Sequence, residues 1–168
     1  WGLPFWRERV LLGHNVECGK LRGDGSAGVL ISTDKGSKWK AYGHIQTQET
    51  WVIENTLVER NDGSLLLLFR TQMGTAFQSL SYDGGKNWKE PSPIPSLNNP
   101  DSKAHLTRLN PKGPLAVAFN NHQFMRTNLA LALSFDEGES FQHSLSVEAS
   151  DSHGVMVHYP TIEQVSAL

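Results

Sequence analysis

Four polar side chains sit where the chain otherwise calls for burial. Glu54 interrupts the apolar strand pattern Trp51-Val52-Ile53-Glu54-Asn55-Thr56-Leu57-Val58, and Arg70 ends the run Leu65-Leu66-Leu67-Leu68-Phe69. Arg126 lies just ahead of the apolar stretch that starts at Leu129, and Tyr159 lies in Val157-His158-Tyr159-Pro160. Charged groups are seldom buried unless they are paired or used. An acid, two guanidiniums and a phenol are the groups of proton transfer and anion binding. An internal Glu–Arg ion pair beside a Tyr capping a core would use the same residue types, so types alone leave both readings open.

The elements that must carry these residues are announced by a repeat. Ser32-Thr33-Asp34-Lys35-Gly36-Ser37-Lys38-Trp39 returns as Ser81-Tyr82-Asp83-Gly84-Gly85-Lys86-Asn87-Trp88 and as Ser134-Phe135-Asp136-Glu137-Gly138-Glu139-Ser140-Phe141. The shared pattern is Ser-x-Asp-x-Gly-x-x-aromatic, and its copies are about 50 residues apart, a spacing typical of repeat architectures. Ser and Asp can bond nearby backbone N–H groups, Gly supplies φ > 0, and the aromatic opens the returning strand. The three aspartates therefore read as parts of tied hairpin turns and not as catalytic carboxylates.

Short strand patterns surround each box. They run over Gly28 to Ser32 and Lys40 to Gln46, then Trp51 to Glu59, Leu65 to Thr71 and Thr75 to Ser81. The third group covers Ala104 to Leu109, Leu115 to Asn120 and Leu129 to Ser134. Turns at Arg60-Asn61-Asp62-Gly63-Ser64 and Asn110-Pro111-Lys112-Gly113 separate them, and Asp-Gly is a strong hairpin signal. The continuous run Leu65 to Phe69 fits a strand buried on both faces. Units of four strands with the box joining the last two predict an all-β propeller. About three blades are represented, with Tyr159-Pro160-Thr161-Ile162-Glu163-Gln164 opening a fourth. Pro91-Ser92-Pro93-Ile94-Pro95-Ser96 and Asn98-Asn99-Pro100 read as a connector between blades. The 168 residues form one partial propeller domain on this reading, a piece of a larger ring or a processed product, since the first residue is Trp1.

Composition narrows the partners. A net charge of −2, from 15 basic and 17 acidic residues, gives no case for nucleic acid or an anionic membrane. No stretch of 18 apolar residues occurs, so no membrane-spanning helix is expected. The lone Cys18 excludes an internal disulfide framework and a cysteine-based zinc site. The seven histidines show no ligand spacing, and no metal or other cofactor is expected. The compartment stays open.

The boxes, together with the segment from Ile53 through Glu54, Asp62-Gly63 and the strand ending in Arg70, resemble the sialidase (neuraminidase) superfamily. The similarity is strongest to its bacterial-type neuraminidases with repeated Asp boxes. It covers nearly the whole chain and is weakest before Gly25. The resemblance implies a six-bladed propeller with its site on the central axis, three arginines that hold a sugar carboxylate, a Tyr nucleophile activated by a Glu, and a separate Asp as acid/base. By position, Glu54 matches the partner of the nucleophile, Arg70 the second arginine, Arg126 the third, and Tyr159 the nucleophile at the start of the next blade's inner strand. The implied activity is that of an exo-α-sialidase, cleaving terminal sialic acids from glycoconjugates with retention of configuration. A sialylated glycan or related acidic sugar is then the partner. Planar guanidiniums suit a carboxylate, and a neutral phenol avoids the repulsion an anionic nucleophile would meet at that centre.

Other readings stand beside it. The boxes also occur in non-catalytic propellers that bind carbohydrate or protein, and in scaffolds without any role in sugar chemistry. Arg7 lacks the context of the family's first arginine, and Asp24 reads as a turn, so the first arginine and the acid/base Asp have no match in the chain. The segment alone is accordingly expected to be inactive. Asn120, Asn121 and His158 are candidate substrate contacts. If the resemblance holds, Glu54, Arg70, Arg126 and Tyr159 converge at one end of the propeller axis, with Glu54 in hydrogen-bond reach of the Tyr159 hydroxyl.

Overall fold

A computed structural model describes residues 2–7, 26–149 and 156–165. The described residues contain strands and turns and no helix. Eleven strands form three antiparallel sheets, each a meander in chain order. The first sheet holds β1 (Gly2–Arg7), β2 (Ser26–Ile31) and β3 (Lys40–Ile45). The second holds β4 (Ile53–Glu59), β5 (Leu65–Arg70), β6 (Gly74–Ser81) and β7 (Ser92–Asn99). The third holds β8 (His105–Arg108), β9 (Leu115–Asn120), β10 (Leu129–Ser134) and β11 (Gln142–Glu148).

The sheets stack face to face as propeller blades, and the middle one has a core on each side. Leu67, Phe69 and Phe77 pack with Ala27, Val29, Ile45 and Val52 toward the first sheet. Leu66, Leu68, Ile94 and Leu97 pack with Leu106, Leu115, Val117 and Phe119 toward the third. Successive residues of a strand point to opposite faces, so a strand between two blades must be apolar throughout. This is the physical reason for Leu65-Leu66-Leu67-Leu68-Phe69. Each such side chain contributes about 1.5–3 kcal/mol by leaving water.

The boxes join β2 to β3, β6 to β7 and β10 to β11. In each, the Gly N–H donates to the Ser hydroxyl four residues earlier: Gly36 to Ser32, Gly85 to Ser81 and Gly138 to Ser134, at 2.8, 2.9 and 2.8 Å. Each Ser hydroxyl donates to its box aspartate. The aspartates in turn accept the backbone N–H of Lys38, Asn87 and Ser140. The indole N–H of Trp39 and of Trp88 closes the loop on the carbonyl of Gly36 and of Gly85. Phe141 has no such donor and is buried in the core instead. The glycines have φ of 90, 90 and 93°, which a side chain would strain.

One expectation is corrected. The proline-rich segment is not a connector, because Ser92–Asn99 is the outermost strand of the second blade. Proline lacks an N–H and is tolerated on an edge strand, where Ile94 and Leu97 still point into the core. Residues 156–165 form no strand. They run beside β8 and are tied to it and to the turn after it by side chains: Ile162 N–H donates to His105 Nδ1, and Gln164 exchanges hydrogen bonds with Asn110 in that turn.

Candidate active site

The candidate residues gather at the strand ends opposite the boxes. β5 starts opposite Ser81 of the second box and runs away from it to Arg70. β9 starts opposite Ser134 of the third box and ends at Asn120. β4 touches both β1 and β8, so the inner strands lie side by side. Segment 156–165 follows β8 in that row and brings in Tyr159.

Glu54 owes its direction to a β-bulge. Ile53 pairs with Arg70, but the next registered pair is Thr56 with Leu68, so β4 carries one residue more than β5. The extra residue places Glu54 at φ 46°, in the left-handed region. Its carboxylate turns onto Arg70, with Oε2 accepting from Nη1 at 2.7 Å. The same Nη1 donates to the Tyr159 hydroxyl at 2.7 Å, and that hydroxyl donates to Glu54 Oε1 at 2.9 Å. Acid, guanidinium and phenol thus form a closed triangle.

Arg70 is only 9% exposed. Burial by itself would push its guanidinium pKa down, but the hydrogen bonds and charges of Asp101 and Glu54 outweigh burial and the net shift is upward. Arg126 lies in the loop between β9 and β10, where its Nη2 donates to the Asp101 carbonyl at 2.7 Å. Both guanidiniums lie near the Tyr159 ring, at 6.0 Å from Arg70 and 5.6 Å from Arg126. Glu54, Arg70, Arg126 and Tyr159 are therefore brought to one place, with Tyr159 reachable from solvent at 42% exposure.

The remaining candidates fall elsewhere around it. The His158 ring meets Tyr159 edge to face at 5.2 Å and is exposed. Asn121 is exposed and accepts from Asn98. Asn120 is 2% exposed and lies behind the site, its side-chain amide occupied by Ser102, Thr127 and Val157. Asp24 and Cys18 lie outside the described residues.

Asp101 was not a candidate from sequence. Its carboxylate accepts from Arg70 Nε at 2.8 Å while its carbonyl takes Arg126. The only sequence signal is an acid directly after Asn98-Asn99-Pro100, at the end of a segment that reads as a connector between blades. Asp101 at φ 55° and Tyr159 at φ 62° share the left-handed backbone of Glu54. Non-glycine residues in that region cost about 1–3 kcal/mol each; three of them surround this guanidinium, while Lys35, Asn110, Lys112, Asn128 and Glu137 adopt the same region in loops and turns.

Solved structures share this fold. The chain aligns with the Hadza microbial sialidase Hz136 at a TM-score of 0.65 and 22% identity, over 76% of this chain and 26% of that one. A mutant of the NanB sialidase from Streptococcus pneumoniae aligns at 0.59 and 22% identity, over 73% of this chain and 20% of that one. The intramolecular trans-sialidase from Ruminococcus gnavus, in complex with oseltamivir carboxylate, aligns at 0.57 and 22% identity, over 76% and 30%. The chain thus spans less than a third of each of these three structures. No curated protein matches it in a sequence comparison. No helix of the described residues is long and apolar enough to cross a membrane. The BNR repeat-like domain matches residues 6–167, and by that match the chain belongs to the BNR repeat-like domain family.

Proposed function

We propose that this chain forms part of a sialidase-like glycoside hydrolase that removes terminal sialic acids from glycoconjugates with retention of configuration. The reading rests on one observation: the Tyr159 hydroxyl donates to Glu54 while Arg70 donates to both. Glu54 would accept the phenol proton as the Tyr159 oxygen bonds to the anomeric carbon and the bond to the leaving oxygen breaks. Water would then cleave the tyrosyl–sugar bond, with the proton returning to Tyr159. Arg70 sits against the phenol oxygen, where charge develops during attack. Arg126, beside the same ring, would meet the sugar carboxylate. No residue here matches the acid that would protonate the leaving group, so flanking sequence would supply it, along with the first arginine and the remaining blades.

A binding role without turnover is the second reading. It is favoured by the number of protein partners already on Arg70, which donates to Asp101, Glu54 and Tyr159. One experiment separates the two. The protein, expressed with its native flanking sequence, is assayed on a fluorogenic sialoside and titrated with free sialic acid. A hydrolase turns over the sialoside, and Tyr159→Phe lowers kcat by about a thousandfold or more. Saturable binding without turnover supports the second reading. Full turnover by Tyr159→Phe removes the nucleophile from the mechanism.

A further inference from the structure

The residues that touch Tyr159 come from segments far apart in the chain, and something must hold those segments in mutual register. Three segments meet at one buried side chain. Asn120, at the end of β9, donates from Nδ2 to the Thr127 carbonyl at 3.1 Å, next to Arg126. The same Nδ2 donates to the Val157 carbonyl at 2.6 Å, two residues before Tyr159. Its Oδ1 accepts the Ser102 hydroxyl at 2.9 Å, next to Asp101. Ser102 is itself fixed by Asn99, which accepts its N–H and donates to its carbonyl. The Val157 N–H donates to the Arg126 carbonyl, so the loop and the Tyr159 segment are also joined directly. Asn120 is 2% exposed and Ser102 is 1% exposed, so water does not compete for these bonds.

We infer that Asn120 is the positioning residue of this site: one side-chain amide sets the places of Tyr159, Arg126 and Asp101, and through Asp101 that of Arg70. Only an amide fits. It offers donors on one side and an acceptor on the other, matching two carbonyls and a hydroxyl. A carboxylate of the same shape loses both donors, and an alkyl group loses everything. This role rests on the proposed chemistry for its catalytic meaning, but not for its structural content.

The test uses the full chain with 3-fluorotyrosine at its three tyrosines, 42, 82 and 159, read by fluorine NMR. Tyr159→Phe assigns the Tyr159 resonance by its loss. Asn120→Asp is expected to move that resonance to its position in the unfolded chain while those of Tyr42 and Tyr82 stay in place. An unmoved Tyr159 resonance in folded Asn120→Asp overturns the inference. If Asn120→Asp also shifts Tyr42 and Tyr82, folding has failed and Ser102→Ala is read in its place. That variant removes only the bond to Oδ1, and it must still move the Tyr159 resonance or the inference falls. On the fluorogenic sialoside, Asn120→Asp in the protein carrying its native flanking sequence should lower kcat by about a hundredfold with a smaller change in KM. A wild-type protein that is inactive with that flanking sequence would sink the sialidase reading and leave the NMR result standing.

Discussion

The two ends of the blades solve the same problem, placing carboxylates next to donors, in opposite ways. At the box end each aspartate finds its partners within four residues along the chain. At the other end Glu54 and Tyr159 are 105 residues apart, Arg70 and Tyr159 are 89 apart, and Arg70 and Asp101 are 31 apart. The first arrangement forms as soon as its own turn forms, and its Ser–Asp–Gly bonds repeat in all three boxes. The second exists only once the second and third sheets have stacked and segment 156–165 has docked beside them. Non-glycine residues at positive φ occur at both ends, Lys35 and Glu137 in the boxes and Glu54, Asp101 and Tyr159 here, so backbone strain does not distinguish them. Local closure builds scaffold. Distant closure gathers charged groups from separate segments, and it is at this end that the candidate chemistry lies.

The widest gap between the ends should appear when the centre of each is removed. Arg70→Met leaves the Glu54 and Asp101 carboxylates facing each other's surroundings without their cation. It should cost about 3 kcal/mol in urea unfolding. A loss below 1 kcal/mol would mean that the cluster is not holding this end together. At the box end, Gly138→Ala combines a positive φ with a Cβ driven against the buried Leu66 side chain, and should cost about 2 kcal/mol. Gly36→Ala meets only Trp39 at an ordinary contact distance, so strain alone should remain, about 1 kcal/mol. Equal losses at the two glycines would show that packing against the neighbouring blade does not matter to the box.

A smaller effect separates local from inter-blade ties within the box end itself. Glu137, a variable position of the third box, accepts from Arg108 and from Asn61 on the preceding blade's turn. The hydrogen bond from Arg108 is the main reason its carboxyl is held below the usual range. Glu137→Gln should lower stability by about 1 kcal/mol. The Arg108→Met background should shrink that loss, leaving what Asn61 contributes, and an undiminished loss there would rule out the pair. The smallest change is expected on acidification. Asp83 is held at about 2 by the Asn87 backbone and side-chain N–H groups, with help from Ser81 and Lys86. A depressed carboxylate stabilises the fold fully above its unfolded value of 3.8 and loses that contribution as pH falls toward about 2. The unfolding midpoint of the wild type should drop between about pH 4 and 2 more steeply than that of Asp83→Asn. Parallel curves would show that the box carboxylate is not linked to stability.

What the sequence made legible follows the same division. The boxes are short motifs whose hydrogen bonds close within the motif, so their residue types announce their geometry. The strand Leu65–Arg70 was equally readable, because burial on two faces demands an unbroken apolar run. The proline-rich strand was not, since proline speaks against strands in general and only its place at the outer edge makes it acceptable. Asp101 stayed hidden for a related reason: a residue just past an apparent connector carries no periodicity, and its two arginine partners come from other segments. Asn120 reads as one of two strand-end asparagines that could reach substrate. Its inward rotamer, set by Ser102, Thr127 and Val157, cannot be read from its position in a strand.

Sequence alone fixed the class of fold, the tied turns and the alternation that gives the middle blade two cores, because each depends on neighbours a few residues away. Tertiary structure alone decided that an extra residue in β4 turns Glu54 onto Arg70, that Asp101 joins two guanidiniums, and that a segment without strand pairing delivers Tyr159. Such contacts depend on where whole sheets come to rest against one another, and that outcome is set by the packed cores between blades, not by any residue's near neighbours.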